Sequence, residues 1–223
     1  MKILNPGWED YHIHSINFSD GFNNIDEIVQ YAPKIGLTKI AITDHSQFAL
    51  DIGKMARKNV RWILHKWRWQ NVHNDVEVIF GVEADLLNEK WDICDNIQWF
   101  VPDFIFLSAH KRVYQWDSNN INIAYENAIK RHGDRIKFIG HPCCIDWSWY
   151  LDIDRFVKFV NRNNIPLEFD SANLVNNKTD LESLDKMLSQ VNEIYVNSDA
   201  HTLHELTICR PKAFEYLKNK WYL

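Results

Sequence analysis

The sequence predicts an α/β protein of repeated strand–helix units around a parallel sheet. Two observations carry that reading. Short, apolar, β-branched runs alternate with longer segments of helical period, and this happens seven times within 223 residues. No internal repeat, low-complexity tract or Pro/Gly/Ser linker divides the chain, so 1–223 reads as one domain. Seven units suffice to close a barrel, although an open, doubly wound sheet satisfies the same pattern.

The elements follow in order. A first strand covers Asp10–His14. After it, Ile25, Ile28, Val29 and Ala32 fall at helix-face spacing, with Gly36 as the stop. TKIAIT (38–43) has the apolar, β-branched character of a strand buried on both faces. A basic, Trp-rich helix is expected over 54–72, then a strand over 76–82 and another over 103–109. A helix over 120–132 ends at Gly133 and leads to a strand over 136–140. A helix over 154–163 precedes the strand 165–169. Thr179 and Glu182 form a capping-box pattern ahead of Leu181, Leu184 and Leu188. EIYVNS (193–198) is the last strand, and a helix from about 203 ends the sequence.

Composition excludes several function classes. Seven glycines leave no place for the glycine-rich loops of dinucleotide or P-loop sites, or for a nucleophile elbow. Four cysteines, two of them the adjacent Cys143 and Cys144, do not form a secreted disulfide framework. No apolar run approaches the roughly 18 residues of a membrane span, and the first residues lack a signal-peptide core. The expectation is a soluble, cytoplasmic protein with no membrane partner.

Ten histidines are the informative count, because six of them (12, 14, 45, 110, 141 and 201) stand at strand ends. His65, His73, His132 and His204 lie instead in helix-like segments. Carboxylates join the strand-end set at Asp20, Asp44, Glu83, Glu168, Asp170 and Asp199. Ligands of α/β folds bind at this edge of the sheet. Imidazole and carboxylate without thiolate suit zinc, manganese or iron. The donors are too many for one tetrahedral ion, so two or three divalent metals are expected. A metal pair roughly 3.5–4 Å apart can hold a bridging hydroxide and clamp a phosphoryl oxygen. Asp44 and Asp170 read equally well as carboxylates that orient a histidine, and Asp10 is placed in that role.

These residues resemble a known family. D-Y-H-I-H-S-x₃-S-D-G (10–21), I-T-D-H (42–45), G-V-E (81–83), S-A-H (108–110), G-H-P (140–142) and S-D-A-H (198–201) follow the order of the polymerase and histidinol phosphatase (PHP) family. The resemblance implies a distorted (β/α)₇ barrel with up to three metals at the C-terminal rim of the strands. Carried over by position, one metal takes His12, His14, Glu83 and Asp199. A second shares Glu83 and adds His110 and His141, and a third takes Asp20, His45 and His201. Some family members have histidine where this chain has Asp20. The implied chemistry is hydrolysis of a small phosphomonoester by a metal-bridging hydroxide, with Asp199 or His201 moving the proton. A phosphodiesterase or exonuclease, or a metal-binding module without activity, is the alternative.

Weaker signals complete the reading. Lys111, Arg112 and Arg210 are candidate phosphate contacts, each weighed against an ordinary surface cation. Trp116, Trp147 and Trp149 either wall a pocket or pack at the barrel mouth. RWILHKWRWQ (61–70) interleaves bases with aromatics as nucleic-acid binders do, yet Trp62 and Trp69 share a helix face, which favours packing.

Overall fold

The computed structural model describes residues 1–55, 61–71 and 75–222. Its strands are β1 (Lys2–Ile3), β2 (Glu9–Ile13), β3 (Lys39–Ile42), β4 (Glu77–Leu86), β5 (Ile93–Cys94), β6 (Phe104–Ser108), β7 (Ile136–Ile139), β8 (Leu167–Asp170) and β9 (Glu193–Asn197). The helices are α1 (Ile25–Tyr31), α2 (Gln47–Ile52), α3 (Trp62–Asn71), α4 (Ile121–His132), α5 (Ile153–Arg162), α6 (Ser171–Val175), α7 (Leu181–Gln190) and α8 (Leu203–Asn219).

All seven expected strands form, and they run parallel in the order β2, β3, β4, β6, β7, β8, β9. A bridge between Ile13 and Ala200 brings the two ends of that series together. The result is a distorted, seven-stranded β/α barrel. The seam between β9 and β2 is closed largely by side chains. β1 pairs with the start of β9, and Asn5 then imitates a strand residue. Its Oδ1 accepts from the Val196 N–H at 2.8 Å and its Nδ2 donates to the Val196 carbonyl at 3.0 Å. Further along, Asn197 Oδ1 accepts from the Tyr11 N–H.

Alternation along each strand divides the core in two. One parity (Ile40, Ile42, Val82, Ile105, Leu107, Leu167, Phe169, Ile194, Val196) packs against the surrounding helices. The other parity fills the barrel with Tyr11, Ala41, Phe106 and Phe138, and Ile79, Phe104 and Tyr195 pack on them. Phe106 stacks on Phe138 with ring centroids 4.5 Å apart. Continued toward the C-terminal rim, the inward parity reaches Glu83 on β4, His110 beyond β6, Glu168 and Asp170 on β8, and Asp199 beyond β9.

Two places break the alternation. The β2–β3 register shifts between Asp10 and Ile13, so Ile13 joins the outer core while His12 and His14 turn inward above Tyr11. After β7, His141 adopts φ 32°, a left-handed conformation.

Several expectations need adjustment. Asp180, not Thr179, caps α7, because its carboxylate accepts from the N–H groups of Glu182 and Ser183. The helix expected over 54–72 is observed as α3, preceded by the unforeseen α2; residues 56–60 and 72, like His73, lie outside the described residues. Trp62 is buried and Trp69 packs on the core, as the shared-face reading requires. Arg210 is not a rim residue. Its guanidinium is buried and donates to the carbonyls of Val196, Asn5 and Gly7 at 2.8–3.1 Å, clamping the barrel seam. Three of its five donors are taken by backbone carbonyls of the barrel wall, which places the guanidinium at the seam instead of the phosphate-facing rim expected from the sequence.

Arg210→Met should therefore cost about 3 kcal/mol by leaving buried carbonyls unpaired. Urea unfolding is expected to show that loss, with KM for any substrate unchanged in the folded fraction. A raised KM at wild-type stability would contradict the seam role.

Candidate metal centre

The inward residues meet above an aromatic floor, with the His12 ring 4.4 Å from that of Phe106. Glu83 is the hub. Its Oε1 lies 2.8 Å from His141 Nε2 and 3.3 Å from His110 Nε2. Its Oε2 faces His45 Nδ1 at 2.7 Å, His14 Nε2 at 3.5 Å and His12 Nε2 at 3.7 Å. One carboxylate thus presents each oxygen to a different set of imidazoles.

Beside Oε2, the Nε2 atoms of His12 and His14 are 3.0 Å apart, and each is 3.2 Å from Asp199 Oδ1. His12, His14 and Asp199 thus present three donors 3.0–3.2 Å from one another, and Glu83 Oε2 lies 3.5–3.7 Å from the two imidazole nitrogens. A zinc ion with bonds near 2.05 Å needs edges of about 3.3 Å. Farther out, Asp20 Oδ1 is 3.3 Å from both His45 Nε2 and His201 Nε2. His14 borders this outer group too, its ring stacked on His201 at 4.4 Å. His45 stands between groups, one nitrogen toward Glu83 and the other toward Asp20.

The chemistry of this donor set fits divalent cations. Glu83 Oε2 and His45 Nδ1 are buried and 2.7 Å apart, yet out of line for a hydrogen bond, so neither atom makes one. Orphaned buried polar atoms are costly, and a cation among them removes that cost. Among the described residues, three groups bring such donors within 4.8 Å of one another: His14, Asp20, His45 and His201; His12, His14 and Asp199; His45, Glu83 and His110.

The opposite ring nitrogens are held from outside. His110 Nδ1 meets Asp85 Oδ1 at 2.6 Å, and Asp85 Oδ2 accepts from Ser46 Oγ at 2.6 Å. His12 Nδ1 lies 3.0 Å from Glu168, His14 Nδ1 3.2 Å from Ser19 Oγ, and His201 Nδ1 3.1 Å from the Asp199 carbonyl. Such contacts fix which nitrogen faces the centre. Sequence reasoning missed Asp85, although its signal was present. Glu83 and Asp85 are two apart on one strand and share a face. Gly21 serves the same assembly, because a Cβ there would lie 2.4 Å from the His14 carbonyl oxygen. Only glycine lets the Asp20 loop close over β2.

The expected orienting carboxylates do other work. Asp44 accepts from Ser15 N–H at 2.6 Å and Ser15 Oγ at 2.8 Å, tying the loop after β2 to β3. Asp10 accepts from the backbone N–H groups of His12 and Ser198, so it supports the β2 bulge rather than an imidazole. Asp170 caps α6. Of the cationic candidates, Arg112 stays at the rim, with Nη2 4.0 Å from Asp20 Oδ2. Lys111 instead rests its ammonium on Tyr150, 3.8 Å from the ring centroid. Trp147 is buried and donates to the Ala109 carbonyl, whereas Trp149 is 92% exposed. Cys143 is buried with its thiol directed to Met187 Sδ, away from the imidazoles.

A model of the PHP domain matches residues 10–206. The chain belongs to the PHP-domain family. It is 26% identical over 204 residues to the DNA polymerase/3'-5' exonuclease PolX of Bacillus subtilis, covering 88% of this chain. The match spans only 35% of that polymerase. A "probable phosphatase" of Shewanella piezotolerans is 23% identical over 220 residues, covering 92% of this chain and 81% of that protein. Among solved structures, the histidinol phosphate phosphatase of Lactococcus lactis, complexed with zinc, L-histidinol and phosphate, has a TM-score of 0.59 at 14% identity. The likeness covers 95% of this PHP chain and 92% of that one, and at this identity it shows the fold.

Electrostatics complete the PHP centre. Burial opposes the charged form of His12, but Glu168, Asp199 and Glu83 raise its pKa well above the usual range. Despite the same burial, Glu83 and Asp85 raise His110, and the carboxylates around His45 and His201 push both up to about 9. His14 goes the other way, to about 3, through burial and its cationic neighbours His201 and His45. The metal-free centre therefore holds protons where cations belong.

A ligating imidazole must give up its proton. Loading zinc or manganese at pH 7 should thus release protons, and affinity should climb with pH up to about 9. Calorimetry in buffers of different ionisation enthalpy measures the release; an enthalpy independent of buffer would contradict it.

Proposed function

We propose that this PHP chain, acting as one domain over 1–223, is a metal-dependent phosphoesterase that hydrolyses a small phosphomonoester. The observation that carries the reading is Glu83, whose two oxygens face two separate sets of imidazoles beneath an open rim. His12, His14, Glu83 and Asp199 would hold one ion, and Glu83, His110 and His141 a second. Asp20, His45 and His201 would hold a third, with zinc, manganese or iron as candidates. Divalent ions bound there would lower the pKa of water toward 7 and neutralise phosphoryl oxygens.

The chain's own residues supply access, orientation and proton handling. Asp20 and His201 are partly exposed, so the centre opens to solvent on their side. His201 Nδ1 is held by the Asp199 carbonyl, leaving Nε2 directed at Asp20 and the rim. A proton leaving or reaching the ester oxygen would pass through His201 Nε2 or the Asp199 carboxylate. The Arg112 guanidinium, half exposed beside Asp20, is placed to meet the phosphate in the fork geometry that arginine favours. The buried floor of His12 and Phe106 closes the other side to water. The "probable phosphatase" relative and the structural likeness to histidinol phosphate phosphatase support a phosphomonoester.

A second reading, diester or exonuclease chemistry, is favoured by the relationship to PolX. Release of p-nitrophenol from bis-p-nitrophenyl phosphate but not from the monoester would select it.

Phosphate release from a panel of phosphomonoesters, with Mn²⁺, Zn²⁺ or Fe²⁺ supplied, tests the proposal. Glu83→Gln should lose at least about 100-fold in kcat, because one neutral amide cannot serve two ions. Turnover at the wild-type rate in that variant would sink the mechanism. Arg112→Ala should raise KM roughly tenfold, the loss of one charge-assisted contact worth about 1.4 kcal/mol, with kcat little changed. An unaltered KM removes Arg112 from the substrate site.

A further inference from the structure

Glu168 touches two of the histidines that surround Glu83, and it does so with different oxygens. Its Oε1 accepts from Asn197 Nδ2 at 2.8 Å and faces His12 Nδ1 at 3.0 Å. Its Oε2 accepts from the backbone N–H of His141 at 2.9 Å. The carboxylate is 1% exposed and sits on the inward face of β8, between β7 and β9.

Each contact decides something about a donor. When His12 is neutral, as a ligand must be, a hydrogen bond from Nδ1–H to Glu168 keeps its one proton on Nδ1 and leaves the Nε2 lone pair toward His14 and Asp199. At His141 the constraint acts on the main chain. That residue has φ 32°, a left-handed conformation that is strained outside glycine. Its N–H has turned out of the strand ladder, and Glu168 takes it up. This bond holds the turn that aims His141 Nε2 at Glu83 Oε1.

We propose that Glu168 is a positioning residue shared by the two ions that Glu83 would join, so that one side chain sets the affinity of both. The inference rests on the metal-binding reading above. Glu168 reaches the Oε2 side of Glu83 through the His12 ring and the Oε1 side through the His141 backbone. Asp85, by contrast, serves His110 alone, and the Asp20, His45 and His201 group receives nothing from Glu168.

Glu168→Gln is the discriminating change, since it keeps the shape and removes one acceptor. With the amide oxygen toward His12, an NH₂ faces the His141 N–H. With the amide reversed, an NH₂ faces His12 Nδ1 and drives its proton to Nε2, the ligand atom. Neither orientation satisfies both histidines.

Chelator competition with Zn²⁺ measures ion number and affinity without reference to turnover. The variant should bind the two ions near Glu83 about 10–100-fold more weakly, with the outer ion unaffected. If wild type binds the ions and Glu168→Gln weakens neither or only one of them, shared control is overturned. If wild type binds no transition metal, the metal reading itself fails. Nitrogen-15 NMR of His12 in wild-type protein gives a test that needs no variant. The inference requires the Nδ1–H tautomer, and an Nε2–H tautomer in the metal-loaded protein would overturn it.

Discussion

A carboxylate buried among five imidazoles is the constraint on which the structure depends. Glu83 is 1% exposed, and burial alone would keep it neutral. His110, His45 and His12 nevertheless hold its pKa well below the usual carboxylate range. Those histidines gain charge from the same pairing, so acid and bases stabilise each other's ionised forms. A divalent cation replaces the protons in this balance without changing its sign. The centre is thus arranged for positive charge before any ion enters, and its geometry derives from charge compensation in a medium of low polarity.

Holding such a cluster requires the backbone to leave its regular course. The β2 bulge rotates His12 and His14 into the barrel, and left-handed φ values at His141 and Asp199 turn both residues at strand ends. Conformations of this kind cost energy and survive only where surrounding bonds over-determine them. Here those bonds are visible. Asp10 holds the N–H groups of His12 and Ser198, Glu168 holds that of His141, and the Ala200 carbonyl accepts from His14 N–H. Beneath them, the stacked Phe106 and Phe138 fill the barrel and deny the cluster room to collapse.

The seam is the other point of concentrated cost. β9 meets two partners along one edge, β1 at its start and the end of β2 farther on, with a gap between them. Asn5, Asn197 and Arg210 fill that gap with side-chain bonds where a ladder would otherwise run. Buried polar groups of this type add little net stability when satisfied and cost much when broken. The arginine that sequence reasoning placed at the phosphate is therefore a structural element of the barrel wall.

The succession of strands and helices, the helix stops at Gly36 and Gly133, and the rim on which ligand-type residues gather were legible in the sequence. Hydrophobic period and the alternation of side chains are local properties, readable over four to ten residues. H-x-H, D-x-H and the strand-end position of Glu83 belong to that local grammar, as does the family resemblance. What only the tertiary structure decided is pairing at long range. His12 and Glu168 are 156 residues apart, and Asn5 and Val196 are 191 apart. No spacing rule reports which of several buried carboxylates meets which imidazole, or that Arg210 turns to the seam rather than the rim. Those choices follow from how the closed sheet superimposes its strands, because burial removes water as an alternative partner and leaves each polar atom only the neighbours that the fold provides.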